Sequence, residues 1–106
     1  MKRDRLVLVV SLWLKGADIA AFEAFEQAAA SCMAKHDGRI ERVVRLDDAG
    51  DAQRPFEIHI VSFPDAAAFY AYREDPQMRA LAAARERVID RTVVHSGRDA
   101  RPYIPA

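Results

Sequence analysis

The first apolar run constrains this chain more than anything else in it. Leu6, Val7, Leu8, Val9 and Val10 follow one another without a break, and Leu12, Trp13 and Leu14 continue after a single Ser11. A strand sends alternate side chains to opposite faces, so such a run demands cover on both sides. Helices elsewhere in the chain supply cover for only one. A second copy of the chain is the simplest cover for the other, which makes a homodimer the expected assembly.

The rest of the chain divides at its punctuation. Strand one spans about Leu6 to Leu14, and Lys15-Gly16-Ala17 breaks it. Asp18 is placed to cap a helix. Ile19, Phe22, Phe25, Ala29, Cys32, Met33 and His36 then recur at spacings of three and four, which predicts one buried helical face. Glu23, Glu26, Gln27 and Lys35 fall mostly outside it. Asp37-Gly38 ends the helix, with Gly38 expected in the left-handed conformation.

Strand two runs from about Arg39 to Leu46. Ile40, Val44 and Leu46 share one face; Glu41, Val43 and Arg45 share the other. The polar stretch Asp47-Asp48-Ala49-Gly50-Asp51 reads as a hairpin tip. Strand three covers about Phe56 to Phe63, and Asp65 caps the next helix after Pro64. That helix is broken at Asp75-Pro76, where Asp75 caps and Pro76 opens a new segment. Met78, Leu81, Ala82, Val88 and Ile89 carry its apolar stripe onward. A short strand four, about Arg91 to His95, precedes an irregular tail. The expected division is one domain over residues 1–97 and a C-terminal tail over 98–106.

The order βαββαβ predicts an α+β, ferredoxin-like fold: a four-stranded antiparallel sheet with both helical segments on one face and strands one and three at its centre.

Bulk properties narrow the function classes. Sixteen basic residues balance sixteen acidic ones among 106. Nucleic-acid binders draw most of their affinity from a basic excess, so no nucleic-acid partner is expected. An RNA-recognition motif shares this element order, but Ile58 and Ile60 stand where its base-stacking aromatics belong. The first apolar run is too short to span a bilayer and lacks a clean cleavage site, so a cytoplasmic protein without membrane contact is expected. The single Cys32 reads as a small buried hydrophobe, and no metal-ligand spacing or cofactor motif is evident.

A family resemblance begins at the end of strand three. Phe63-Pro64-Asp65, Ala66-Ala67-Ala68, Tyr72 and Asp75-Pro76-Gln77-Met78, with Gly38-Arg39 and Arg85, resemble the family known as domain of unknown function 1330. The resemblance runs from about Val10 to Gly97. It implies the dimeric α/β-barrel superfamily, with a cavity enclosed by each subunit pair. Met78 stands where that family carries tyrosine, Arg42-Val43 replaces a pattern that often ends in Arg-Gly, and His59 replaces an aliphatic residue.

Candidate chemistry centres on strand three. Glu57 and His59 are two apart and share a face, and a carboxylate can fix which imidazole nitrogen holds the proton. These two are the candidate catalytic residues. If their face lines the barrel, they stand near Ser11 and Trp13, with Arg45 completing a polar cavity. Trp13, Arg45 and Ser11 are therefore the candidate ligand-binding residues for a small anionic or aromatic molecule. Strand three supports two registers: Ile58 and Ile60 toward the helices and His59 toward the barrel, or Phe63 toward the helices with Val61 and His59 beside it. Arg85 reads either as a long side chain lying over the core or as a salt-bridge residue at the dimer edge. His36 suits a helix C-terminus through the dipole alone.

Three functions fit this pattern. One is a small-molecule-binding dimer. Another is a cofactor-independent monooxygenase or isomerase, which the superfamily resemblance implies. The third is a ligand-sensing or structural module. The chain contains no asparagine, which counts against the heme-degrading and quinone-forming monooxygenases of that superfamily and against an acylphosphatase-like activity.

Overall fold

The computed structural model describes residues 4–47 and 51–105. The elements are β1 (Leu6–Leu14), α1 (Ile19–Ala34), β2 (Arg39–Arg45), β3 (Glu57–Phe63), α2 (Ala66–Glu74), α3 (Pro76–Ala80), α4 (Ala82–Val88) and β4 (Ile89–Gly97). The strands form one sheet in the order β2-β3-β1-β4. Every neighbouring pair is antiparallel, so β1 and β3 occupy the centre as expected.

Local chemistry sets the helix starts. The Asp18 carboxylate accepts from the Ala21 amide at 2.9 Å, and Asp65 accepts from the Ala68 amide at 2.9 Å. Asp75 accepts from the Gln77 amide at 2.8 Å, directly before Pro76 at the first position of α3. Each carboxylate satisfies an amide that the first helical turn leaves unpaired. A further break at Leu81 separates α3 from α4. Strand β4 is longer than the expected Arg91–His95, because Ile89, read as part of the helical stripe, pairs with Leu14 instead. The expected hairpin tip centres on residues 48–50, which lie outside the described residues. Residues 98–105 hold no helix or strand.

The helices cover one face of the sheet. Leu12 packs with Phe22, Phe25, Ala29, Val88 and Ile89 in one buried cluster. Leu6 and Leu8 pack with Met33, Val61 and Phe63 in another, beneath Phe69 and Tyr72. Phe63 is fully buried, and its ring lies 5.4 Å from those of both Phe69 and Tyr72.

The turn after α1 differs from expectation. Asp37, not Gly38, takes the left-handed conformation, with φ of 59°. Gly38 is required for a different reason. A Cβ there would stand 2.3 Å from Phe63 Cε2 and 2.5 Å from Met33 Cγ. Only a residue without a side chain lets the chain pass over the Phe63 ring.

A bulge between Ile40 and Arg42 corrects the expected faces of β2. Ile40 pairs with Val61, yet Arg42 pairs with Ile60. The extra residue inverts the alternation, so Val43 and Arg45 share the helix side with Ile40, and Val44 faces away. The helix-free face consequently carries Val7 and Val9 from β1, Val44 from β2, Ile58 and Ile60 from β3, and Val93 from β4. Val9 and Val44 are 38% and 39% exposed.

Candidate functional site

The register of β3 decides where the candidate chemistry lies. His59 pairs with Val10 and Glu57 with Leu12, both on the helix side. Ser11 pairs with Ile58, on the helix-free side. The alternative led by Phe63 therefore describes the fold, and the expected grouping of His59 and Glu57 with Ser11 and Trp13 does not form. The sheet itself separates the two pairs. Glu57 and His59 are 4% and 3% exposed, under α1.

Three of the five candidate residues do meet. Arg45 Nε donates to Glu57 Oε2 at 2.7 Å, and its Nη2 donates to the same oxygen. Nη2 also reaches Glu23 of α1 at 3.1 Å. The other Glu57 oxygen, Oε1, lies 2.7 Å from His59 Nε2. A carboxylate only accepts, so this contact places a proton on Nε2 and directs Nδ1 elsewhere. Nδ1 faces Glu26 of α1, whose Oε1 is 3.7 Å away. A line of polar groups thus runs from exposed Glu23 through Arg45 and Glu57 to His59 and Glu26. Buried polar groups of this kind are tolerated because each has a partner.

This line ends at a cavity. A hollow of about 580 Å³ lies between the sheet and α1–α4, within the size range of small-molecule sites. Leu8, Val10 and Val61 contribute to its apolar floor, and His59 and Glu26 stand on its wall. Arg73, Arg79 and Arg85 line it from the helices. The expectation put the ligand cavity on the helix-free face; the cavity that a single chain forms lies on the opposite side. Of the expected ligand-binding residues, Trp13 and Ser11 do not line it. Arg91 covers the Trp13 ring, its guanidinium carbon 3.9 Å from the centroid. Arg45 reaches the cavity only through Glu57 and His59.

Burial shapes the acid–base behaviour of this wall. Desolvation holds the Glu26 carboxyl above its ordinary pKa of 4.5, opposed by the nearby His59. Burial, aided by the Glu26 charge, pushes the Tyr72 hydroxyl up to about 12. Tyr72 therefore keeps its proton at neutral pH and can donate it into the cavity. Arg85 donates to Thr92 Oγ1 at 2.6 Å, so its head is held at the cavity by its own β4.

A stability test follows from Glu26. Its raised folded-state pKa favours the neutral acid in the folded protein. That advantage is complete below the ordinary pKa and is lost as pH rises through the raised value. Glu26→Gln stays neutral throughout. Its melting temperature, relative to the parent protein, is expected to rise with pH above about 4.5. A relative melting temperature that falls over the same range would contradict the burial of Glu26.

Glu26 is the cavity-wall residue that the periodicity analysis missed. Its charge suggested an outer face. Its spacing says otherwise, four after Phe22 and three before Ala29, on the buried stripe. Spacing within the sequence offered no metal set either, yet the fold brings Cys32, His36 and Asp75 together. His36 is more than a residue favoured by a helix dipole, since its Nε2 lies 2.8 Å from Asp75 Oδ2.

Comparison with known proteins agrees with this fold. The domain of unknown function DUF1330 matches residues 8–96. The chain belongs to the DUF1330 family. No curated protein matches it. Among solved structures, a protein of unknown function from Rhodopseudomonas palustris is similar with a TM-score of 0.77 at 14% identity, over 95% of this chain and 86% of that one. SnoaB, a cofactor-independent oxygenase from Streptomyces nogalater, is similar with a TM-score of 0.70 at 21% identity, over 97% and 99%. A dabb family protein with a ferredoxin-like fold from Mesorhizobium loti has a TM-score of 0.61 at 18% identity, over 98% and 99%. These likenesses establish the ferredoxin-like fold of this DUF1330 protein. Among its described residues, no helix is long and apolar enough to cross a membrane.

Proposed function

We propose that this chain acts as a homodimer, each subunit binding a small aromatic or otherwise apolar acid in the cavity between sheet and helices. One observation carries the reading: His59 stands on the cavity wall with Nε2 held by Glu57, which Arg45 holds in turn. The apolar floor accommodates a ring or short chain, and the arginines that line the cavity complement an anionic group. Dimerisation is supported by the apolar centre of the helix-free face, where Val7, Val9, Ile58 and Ile60 adjoin, with Arg42, Arg91 and His95 at its flanks.

The experiment is a thermal-shift titration with small aromatic carboxylic acids. A binding acid is expected to raise the melting temperature. His59→Ala and Arg85→Ala are each expected to weaken affinity roughly tenfold, a loss of about 1.4 kcal/mol. Ser11→Ala, on the far side of the sheet, is expected to bind as the parent does. Equal shifts in all four proteins would remove the site.

A second reading is catalytic. With Nε2 protonated, His59 presents a basic Nδ1 to the cavity, suited to removing a proton from an acidic phenol or carbon acid. Cofactor-independent oxygenation and isomerisation both begin with such a step. SnoaB, alike in fold, is described as a cofactor-independent oxygenase. Oxygen uptake or substrate isomerisation that His59→Ala abolishes would favour this reading over binding alone.

A further inference from the structure

A cluster outside the cavity bears on a different chemistry. Cys32 lies in the last turn of α1, and His36 follows in the turn just beyond the C-cap Lys35, its amide donating to the Met33 carbonyl at 2.9 Å. Asp75 caps α3 from the junction with α2. One ligand atom from each of the three lies within 4.8 Å of the others. Donors around a tetrahedral zinc ion stand about 3.5 Å apart, as the ion's bond lengths require. Atoms at the 4.8 Å limit would draw inward by about 1 Å to reach a common centre.

From this convergence we propose that Cys32, His36 and Asp75 form a three-ligand site for a zinc-like divalent cation. Thiolate, imidazole and carboxylate together select a borderline-soft ion over calcium or magnesium.

The metal-free contacts are those of a place prepared for positive charge. The Asp75 carboxylate lies 2.8 Å from His36 Nε2 and accepts from the Gln77 amide at 2.8 Å. Lys35 Nζ lies 3.0 Å from Asp75 Oδ2. A dication at the centre takes the place of the proton shared between His36 and Asp75, and it displaces this ammonium. Lys35 is half exposed, so its head swings into solvent at little cost. Thiolate is the form of cysteine that binds a metal, so binding releases the thiol proton. With three protein ligands, a fourth position remains for water or another donor.

The site joins α1 to the α2–α3 junction. Tyr72, Met78 and Arg79 of those two short helices line the cavity. Metal binding would fix that wall against α1, whether or not the cavity holds a ligand.

The test uses the full chain under thiol-reducing conditions with Co²⁺, then Zn²⁺ in competition. Co²⁺ is expected to give a thiolate charge-transfer band and the intense visible bands of tetrahedral coordination, both erased by Zn²⁺. Cys32→Ser is expected to lose the charge-transfer band. His36→Ala and Asp75→Asn are expected to weaken Zn²⁺ binding at least about 100-fold. Lys35→Met is expected to tighten it, and His95→Ala to leave it unchanged. Because Cys32 is fully buried, circular dichroism of Cys32→Ser accompanies the titration, and the His36 and Asp75 variants decide the matter if that protein misfolds. Absence of the charge-transfer band in the parent protein would overturn the proposal. So would Zn²⁺ affinity unchanged in both His36→Ala and Asp75→Asn.

Discussion

Ile60→Asp is expected to convert the protein from dimer to monomer at micromolar concentration, with its fold intact. Ile60 sits mid-strand on the helix-free face, between Val9 of β1 and Arg42 of β2. In a single chain it is only partly covered, so aspartate there remains hydrated and costs the monomer little. In a sheet-to-sheet dimer the same carboxylate is buried once in each subunit. An unpaired buried charge costs several kcal/mol or neutralises by taking up a proton. Two such charges exceed what a standard interface of about 800 Å² per partner can absorb. Sedimentation velocity gives the mass, and circular dichroism verifies the fold. An Ile60→Asp protein that sediments as a dimer would place the interface elsewhere. A parent protein that is already monomeric would remove the dimer altogether.

Gly38→Ala is expected to cost about 3 kcal/mol, at the upper end for overpacking a dense core. The added methyl would overlap the Phe63 ring and the Met33 side chain. Phe63 cannot step aside, because Phe69 and Tyr72 hold it from the other side. For a domain of this size the loss corresponds to a melting temperature lower by roughly 10–20 °C. Gly16→Ala is the informative comparison. A Cβ at Gly16 would meet nothing within 4 Å, though its φ of 74° still penalises any side chain. The expected loss there is only about 1 kcal/mol. Equal losses at both positions would show that backbone conformation, rather than contact with Phe63, accounts for Gly38.

The two halves of the candidate site differed in how far they could be read from the chain. Glu57 and His59 were recognisable as a pair, because residues two apart on a strand always share a face. Their partner Arg45 was not distinguishable by charge alone, because Arg39, Glu41 and Arg42 share its strand with only Ile40, Val43 and Val44 as apolar residues. Which side of the sheet they served was not recognisable. Strand β3 carries Ile58 and Ile60 on one face and Val61 and Phe63 on the other, so apolar content does not choose between them. The bulge in β2 was equally hidden, yet without it Arg45 would face away from Glu57. Trp13 and Ser11 were grouped with His59 on the wrong parity, and Glu26 was left off the buried stripe because its charge outweighed its spacing.

The order of elements, the central position of β1 and β3, the aspartate caps and the family were therefore written in the chain itself. All depend on neighbours in sequence or on the period of an apolar pattern. Tertiary structure alone decided that His59 looks into the helix-covered side, that Gly38 serves a ring rather than a turn, and that Cys32, His36 and Asp75 converge. Those outcomes depend on which distant surfaces fit together: Phe63 beneath the aromatics of α2, and α1 against the α2–α3 junction. Packing of that kind is a property of three-dimensional shape, and local spacing carries no record of it.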